Sequence, residues 1–243
     1  MAAVSRKHAK TGFWNAKVRE YYVRKLGISP TILKLMEKRI VHDIPALTGG
    51  RAKSLKGTGI WKALLADFGE AAASWFLETN EALFLVKLRW VEFPLKVGQG
   101  IDIMGFRKST DDIAVSEAKT ISSRNISSTI GELGDQLCKQ RIEKDLDLPL
   151  LAYGSKGWLV DKLVQKGIIA EEKAEEILNK TQYLRYGFVF HPETDKPPSY
   201  TDAVKRLQSE GLPIRFIDYS LENLDHEIKS LVEVLAVPKG LVK

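Results

Sequence analysis

Cysteine is nearly absent from this chain of 243 residues, and the lone thiol of Cys138 excludes both an intramolecular disulfide framework and a cysteine-rich zinc cluster. Beside Leu137 in a predicted helix it reads as a small, buried, inert group. The histidines His8, His42, His191 and His226 are scattered singly, without zinc-ligand spacing. His191 ends a strand directly before Pro192 and could reach the rim of a site, with a loop histidine as the preferred reading. No apolar run approaches the roughly 18 residues needed to span a bilayer, and no charged-then-apolar leader follows Met1. A cytoplasmic chain without membrane contact is the expectation. A Gly-x-Ser-x-Gly elbow and a dinucleotide fingerprint are also missing. The glycines at 48–59 lack the Gly-Lys-Ser/Thr order of a phosphate loop, and no apolar strand leads into them.

What is present is an ordinary globular balance, 44% hydrophobic and 28% charged, in a length that suits one sizeable domain or one domain with an appendage. Charge is unevenly spread. Residues 1–62 hold fourteen lysines and arginines against three acids, a net of +11; the rest hold 23 against 28, a net of −5. A basic first quarter on a mildly acidic body suits polyanion binding, with a solvated lysine-rich helical face as the alternative. Within it, Arg51, Lys53 and Lys56 lie in a glycine-punctuated loop that serves as a hinge or as a contact to DNA. Trp14, Tyr21 and Tyr22 suit a small helical core better than base stacking.

Periodicity predicts helices over 13–26 and from Ser29-Pro30 to about 40, then one from Ile60 to about Leu77 with Leu64, Leu65, Phe68, Ala72, Trp75 and Phe76 on its apolar face. Ala82 to Phe93 reads as a long strand, and two short strands follow across a turn at Lys108 to Asp112. A helix is predicted from Ser127 to Lys144, two helices broken at Gly167 over 156–180, and then a βαβ unit. That unit comprises Tyr186 to Phe190, Tyr200 to Glu210 and Pro213 to Tyr219. A last helix is predicted from Glu222 to Leu235. This order builds an α/β sandwich with a mixed central sheet.

The two short strands carry charge where their own alternation calls for hydrocarbon. Ile113, Val115, Glu117, Lys119 and Ile121 share one face of the second, and Asp102 interrupts the Met104 and Phe106 face of the first. Such charges are costly to bury unless something binds them, so three of them converging on adjacent strands look like a metal site. The alternative is a structural carboxylate–lysine pair. Ser122, Ser123, Arg124 and Asn125 follow at the open end of the strand, where Arg124 is the best phosphate contact and a capping loop the alternative.

An Asp in one strand followed by Glu117-Ala118-Lys119 in the next resembles the PD-(D/E)xK nuclease superfamily, over roughly residues 60–220. Two other Glu-x-Lys tripeptides, at Glu171 and Glu227, fall in predicted helices, where i and i+2 diverge. The resemblance implies a restriction-endonuclease-like α/β/α core at 60–243 with a helical insertion near 156–180, preceded by a basic helical N-terminal segment at 1–59. It implies a nuclease that uses Mg2+ or Mn2+ on DNA, with Asp102, Glu117 and the Ala118 carbonyl as ligands and Lys119 orienting water. It further implies Glu70, from the helix before the strands, and Gln136, from the helix after them, as members of the site. For Glu70 an exposed position beside Asp67 and Ser74 is the alternative, and for Gln136 a polar helix face shared with Gln140.

Phe68-Gly69-Glu70, Asp102 and Ser116-Glu117-Ala118-Lys119 are also similar to the nuclease subunit of the Hachiman anti-phage system. That likeness implies a helicase or other defence-system partner that gates the nuclease. The competing expectations are a stand-alone type II-like restriction endonuclease, acting as a homodimer, and a non-catalytic nucleic-acid-binding module of nuclease fold.

Overall fold

The computed structural model describes residues 2–14, 17, 59–88, 101–121, 126–139, 142, 156–194, 198–208, 210 and 213–228. Six strands, β1 (Ala2–Ala9), β2 (Phe84–Leu88), β3 (Ile103–Arg107), β4 (Asp112–Thr120), β5 (Tyr183–Pro192) and β6 (Ile214–Leu221), make one mixed sheet. Their order is β1-β6-β5-β4-β3-β2. The stretch β2-β3-β4 is antiparallel, and β4, β5, β6 and β1 run parallel to one another. Helices cover both faces, so the protein is an α/β fold. No helix among the described residues is long and apolar enough to cross a membrane.

Strand parity sorts the core. Ile103, Ala114, Ala118, Tyr186, Phe188, Phe190, Ile217 and Tyr219 face α1 (Gly59–Asn80), whose Phe68, Ala72, Phe76 and Leu77 pack on them. Met104, Phe106, Ile113 and Val115 point the other way, under α3 (Lys156–Gln165) and α4 (Ala174–Leu178). On that same face Val189, Ile214 and Phe216 lie under α2 (Ile126–Gln136) and α5 (Thr201–Gln208). The helical stretch at 156–180 packs on the sheet, with Trp158, Leu159, Leu163 and Ile177 buried. Gly167, at a φ of 64°, makes the turn after α3 in the left-handed region that glycine tolerates best.

The N-terminal segment departs most from expectation. Residues 2–9 are not part of a basic helical appendage. They form β1, in register with β6 from Ala2↔Ile214 to Ala9↔Leu221. The following turn is fastened to the end of β6 and beyond: Thr11 N and Oγ1 donate to Glu222 at 2.8 and 2.7 Å, and Gly12 N donates to Glu227 at 2.5 Å. Trp14 is fully buried, edge-on to Phe68, Trp75, Phe190 and Tyr219. Losing such a ring costs about 3–5 kcal/mol, which makes the segment part of the fold. The rest of the predicted helices at 13–26 and 30–40, and the loop before Gly59, lie almost wholly outside the described residues.

Helix α2 breaks after Gln136, and helical backbone recurs at Lys139 and Ile142 within the span predicted to Lys144. The Leu137 carbonyl accepts from buried Arg185 at 2.9 Å, and Lys139 N donates to Glu210 at 3.0 Å, so distant side chains take the groups that would continue the helix. Helix α1 closes with Leu83 N donating to the Leu77 carbonyl at 3.1 Å and Ala82 at a φ of 51°. Next to it, Glu81 accepts from Arg107, Tyr186 and Arg215 at 2.7–3.0 Å, tying the helix to three strands at one end of the sheet.

Candidate functional site

Asp102 and Glu117 meet across the β3–β4 ladder. Ile103 is paired with Ser116, so the next rung brings Asp102 opposite Glu117. Each carboxylate is held by the other strand's backbone: Ala118 N donates to Asp102 Oδ2 at 3.1 Å, and Asp102 N donates to Glu117 Oε1 at 3.3 Å. Both residues are buried, 2% and 4% exposed. Glu117 has the parity of Ile113 and Val115, so acid does stand in a hydrocarbon row, while Asp102 sits in the bend just before β3, beside buried Ile101. Lys119, half-buried, follows Glu117 on the same face.

The electrostatics fit this placement. Burial pushes the Glu117 carboxyl well above its usual range, and the charge and hydrogen bond of Asp102 push it further, against the opposing pull of Lys119. Two carboxyl groups this close favour sharing a proton, and a divalent cation relieves the same repulsion. The donors are hard oxygens, with the Ala118 carbonyl adjacent, and they suit Mg2+ or Mn2+, which retain several waters and need few carboxylates. Among the described residues no group of three or more His, Cys, Asp or Glu side chains converges, so protein ligation here rests on the pair.

Of the remaining candidates, Glu70 is buried, 8% exposed, and Ser74 is fully buried, so the exposed polar side is not where they lie. Helix α1 packs on the opposite face of β4 from Glu117. A Cβ on Gly69 would come within 2.4 Å of Thr120 Oγ1, so the helix backbone approaches the end of β4 closely. Glu70 thus sits near the Lys119 end of the strand but across the sheet, outside any metal-binding cluster. Gln136 leaves α2 about 200° around from Gly134. Gln136 is the last residue of α2, beside Leu137, whose carbonyl meets Arg185 near the amino end of β5, and its Oε1 is buried with no partner among the described residues. Arg124, Arg51, Lys53 and Lys56 lie outside the described residues.

A second polar cluster escapes the sequence reading. His191 belongs to β5, not to a loop, and is 2% exposed. Its Nε2 lies 2.7 Å from Asp218 Oδ1 and its Nδ1 2.7 Å from the Pro192 carbonyl. Burial pulls the imidazole pKa down, but the Asp218 hydrogen bond, the Pro192 carbonyl and the Asp218 charge outweigh it and leave it raised. The missed signal is the one that exposes Asp102: Asp218 interrupts the apolar row of Ile214 and Phe216 in β6.

No family model matches this sequence, and no curated protein matches it either.

Proposed function

We propose that this protein is a metal-dependent nuclease of the PD-(D/E)xK type that hydrolyses phosphodiester bonds in DNA. The observation that carries the reading is the buried Asp102–Glu117 pair, braced by reciprocal backbone hydrogen bonds on adjacent strands, with Lys119 next along the same face. The element order supports it: a helix, three antiparallel strands, a helix and a βαβ unit are what a restriction-endonuclease-like core requires.

Asp102, Glu117 and the Ala118 carbonyl would hold Mg2+ or Mn2+, which when bound supplies Lewis acidity and a water of lowered pKa. The chain supplies the rest. Asp102 and Glu117 are fixed by backbone donors, so little reorganisation accompanies reaction. Lys119 places an ammonium where charge develops on the phosphoryl oxygens, and orients the attacking water. An anti-phage role with a helicase or another defence-system subunit as gate is part of the same proposal, since unrestrained cleavage would damage host DNA.

Purified protein is expected to cleave duplex DNA with Mg2+ or Mn2+ and to stop on chelation. Glu117→Ala and Lys119→Ala should each lower the rate at least about 100-fold while leaving the folded spectrum intact. Full activity in either variant overturns the assignment.

A further inference from the structure

Beyond the metal pair, at the carboxyl ends of β1, β5 and β6, lies a cavity of about 330 Å3 whose walls include Arg6, His191, Glu193, Thr194, Asp218 and Ser220. Ligands of open α/β sheets characteristically bind at this edge. We infer that this cavity is a phosphate subsite that grips a backbone phosphate of the DNA beside the scissile one, with the Arg6 guanidinium as its anion-binding group. The inference rests on the nuclease reading and adds a second contact point to it.

Strand register fixes where the cavity lies. Lys119 pairs with Val189, Val189 with Asp218, and Asp218 with Arg6, one row across four parallel strands. In that row Lys119, Asp218 and Arg6 share the α2/α5 face of the sheet. At about 4.8 Å per strand, Arg6 and Lys119 are about 14 Å apart at their Cα atoms. A nucleic-acid strand crossing the carboxyl ends of β4, β5, β6 and β1 would meet both.

The contacts within the cavity leave Arg6 available. Its Nη2 donates to the Pro198 carbonyl at 3.2 Å and its Nε lies 3.8 Å from Asp218 Oδ2, which turns the guanidinium without saturating its donors. Its side chain is 55% exposed, so solvent reaches the guanidinium. An adjacent carboxylate would ordinarily oppose an anion here. His191 removes that obstacle. A carbonyl can only accept, so Nδ1 carries a proton toward Pro192; Nε2 at 2.7 Å from Asp218 carries the second, and the imidazolium cancels the Asp218 charge. Its raised pKa agrees with that geometry.

Glu193, the other acid of the wall, lies 3.2 Å from His8 Nδ1. The Tyr200 hydroxyl is buried with no partner among the described residues, in the field of Asp218 and Arg6. Lys7 also lines the cavity, though its ammonium lies 5.4 Å from the Phe76 ring on the α1 side. His191 is a positioning residue here, since both its nitrogens are occupied and neither reaches a ligand.

The test measures binding of a short fluorescein-labelled DNA duplex by anisotropy, in Mg2+ buffer, with Glu117→Gln throughout to prevent cleavage. Adding Arg6→Gln is expected to weaken binding about tenfold and to reduce the slope of log affinity against log salt by about 0.9, the value of one phosphate contact. Adding Asp218→Asn instead removes the negative charge together with the partner that keeps the buried imidazole protonated, so the net charge is unchanged and binding is expected to stay within about twofold. A loss confined to Arg6→Gln separates a phosphate site from simple damage to the sheet. Weakening by both variants, or an unchanged affinity and salt slope with Arg6→Gln, overturns the subsite and leaves the nuclease reading standing. Failure of Glu117→Gln alone to bind DNA, with wild-type protein that does not cut, overturns both.

Discussion

Glu117 stands under two opposing demands that a metal would reconcile. Burial and the neighbouring Asp102 favour its protonated form, so its folded pKa lies above the unfolded value near 4.5. For a raised group the contribution to stability is full below the unfolded pKa and is lost as pH rises through the folded one. Metal-free protein is therefore expected to lose stability between about pH 4.5 and the raised folded value of Glu117, and Glu117→Gln should abolish that part of the pH dependence. At neutral pH and in chelator, Glu117→Gln should melt above the wild type. Saturating Mg2+ should reverse the order: at a hundredfold excess over Kd it contributes about 2.7 kcal/mol to the wild type, or roughly 5–10 °C in a chain of this size. Thermal denaturation with and without Mg2+ checks this without any nuclease assay. Equal Mg2+ stabilisation of both proteins would place the ion elsewhere.

At the scale of elements, an N-terminal strand replaces the expected arm. Deleting residues 1–10 removes β1, breaks its register with β6 and takes Arg6 from beside Asp218. The truncated chain is expected to lose about 3 kcal/mol or more, seen as a lower melting temperature by circular dichroism. Unchanged melting with weaker DNA binding would instead restore the picture of a detachable basic tail.

The contrast between β1 and the β3–β4 hairpin shows what the sequence could convey. Asp102, Glu117 and Lys119 are legible because alternation over Met104, Phe106, Ile113 and Val115 is clean, which makes each charge an exception with a defined face. The βαβ unit is legible for the same reason. Ala2–Ala9 is not, because its outward positions are polar and its pairing partner lies more than 200 residues away. The break in α2 after Gln136 depends on Arg185 and Glu210, and the burial of Glu70 on how α1 meets the sheet, so neither leaves a local trace. His191 looks like a loop residue because Pro192 follows it, yet β5 extends through that proline.

Across the whole molecule, the two ends of the sheet are built for different purposes. At the amino ends of β5 and β6, Glu81 is 8% exposed and saturated by Arg107, Arg215 and the Tyr186 hydroxyl. Tyr186 has its pKa pushed up to about 12 by burial and by the Glu81 charge, which keeps the phenol a donor at any physiological pH. At the carboxyl ends lie the cavity, the buried Asp102–Glu117 carboxyls and the Thr120 hydroxyl, which has no partner among the described residues. A fold can hold frustrated groups at one edge when the other edge is over-determined. The expected consequence is a double dissociation. Glu81→Gln leaves two guanidinium groups without their shared carboxylate and should cost about 3 kcal/mol, while cleavage per folded molecule and DNA affinity stay at wild-type levels. Lys119→Ala should abolish cleavage with little change in melting temperature, because its side chain is half-buried and serves the reaction rather than the core. Urea denaturation and a cleavage assay on the same two preparations decide it. A large loss of activity in folded Glu81→Gln, or a loss of stability in Lys119→Ala as great as that of Glu81→Gln, would show that the two ends are not separable in this way.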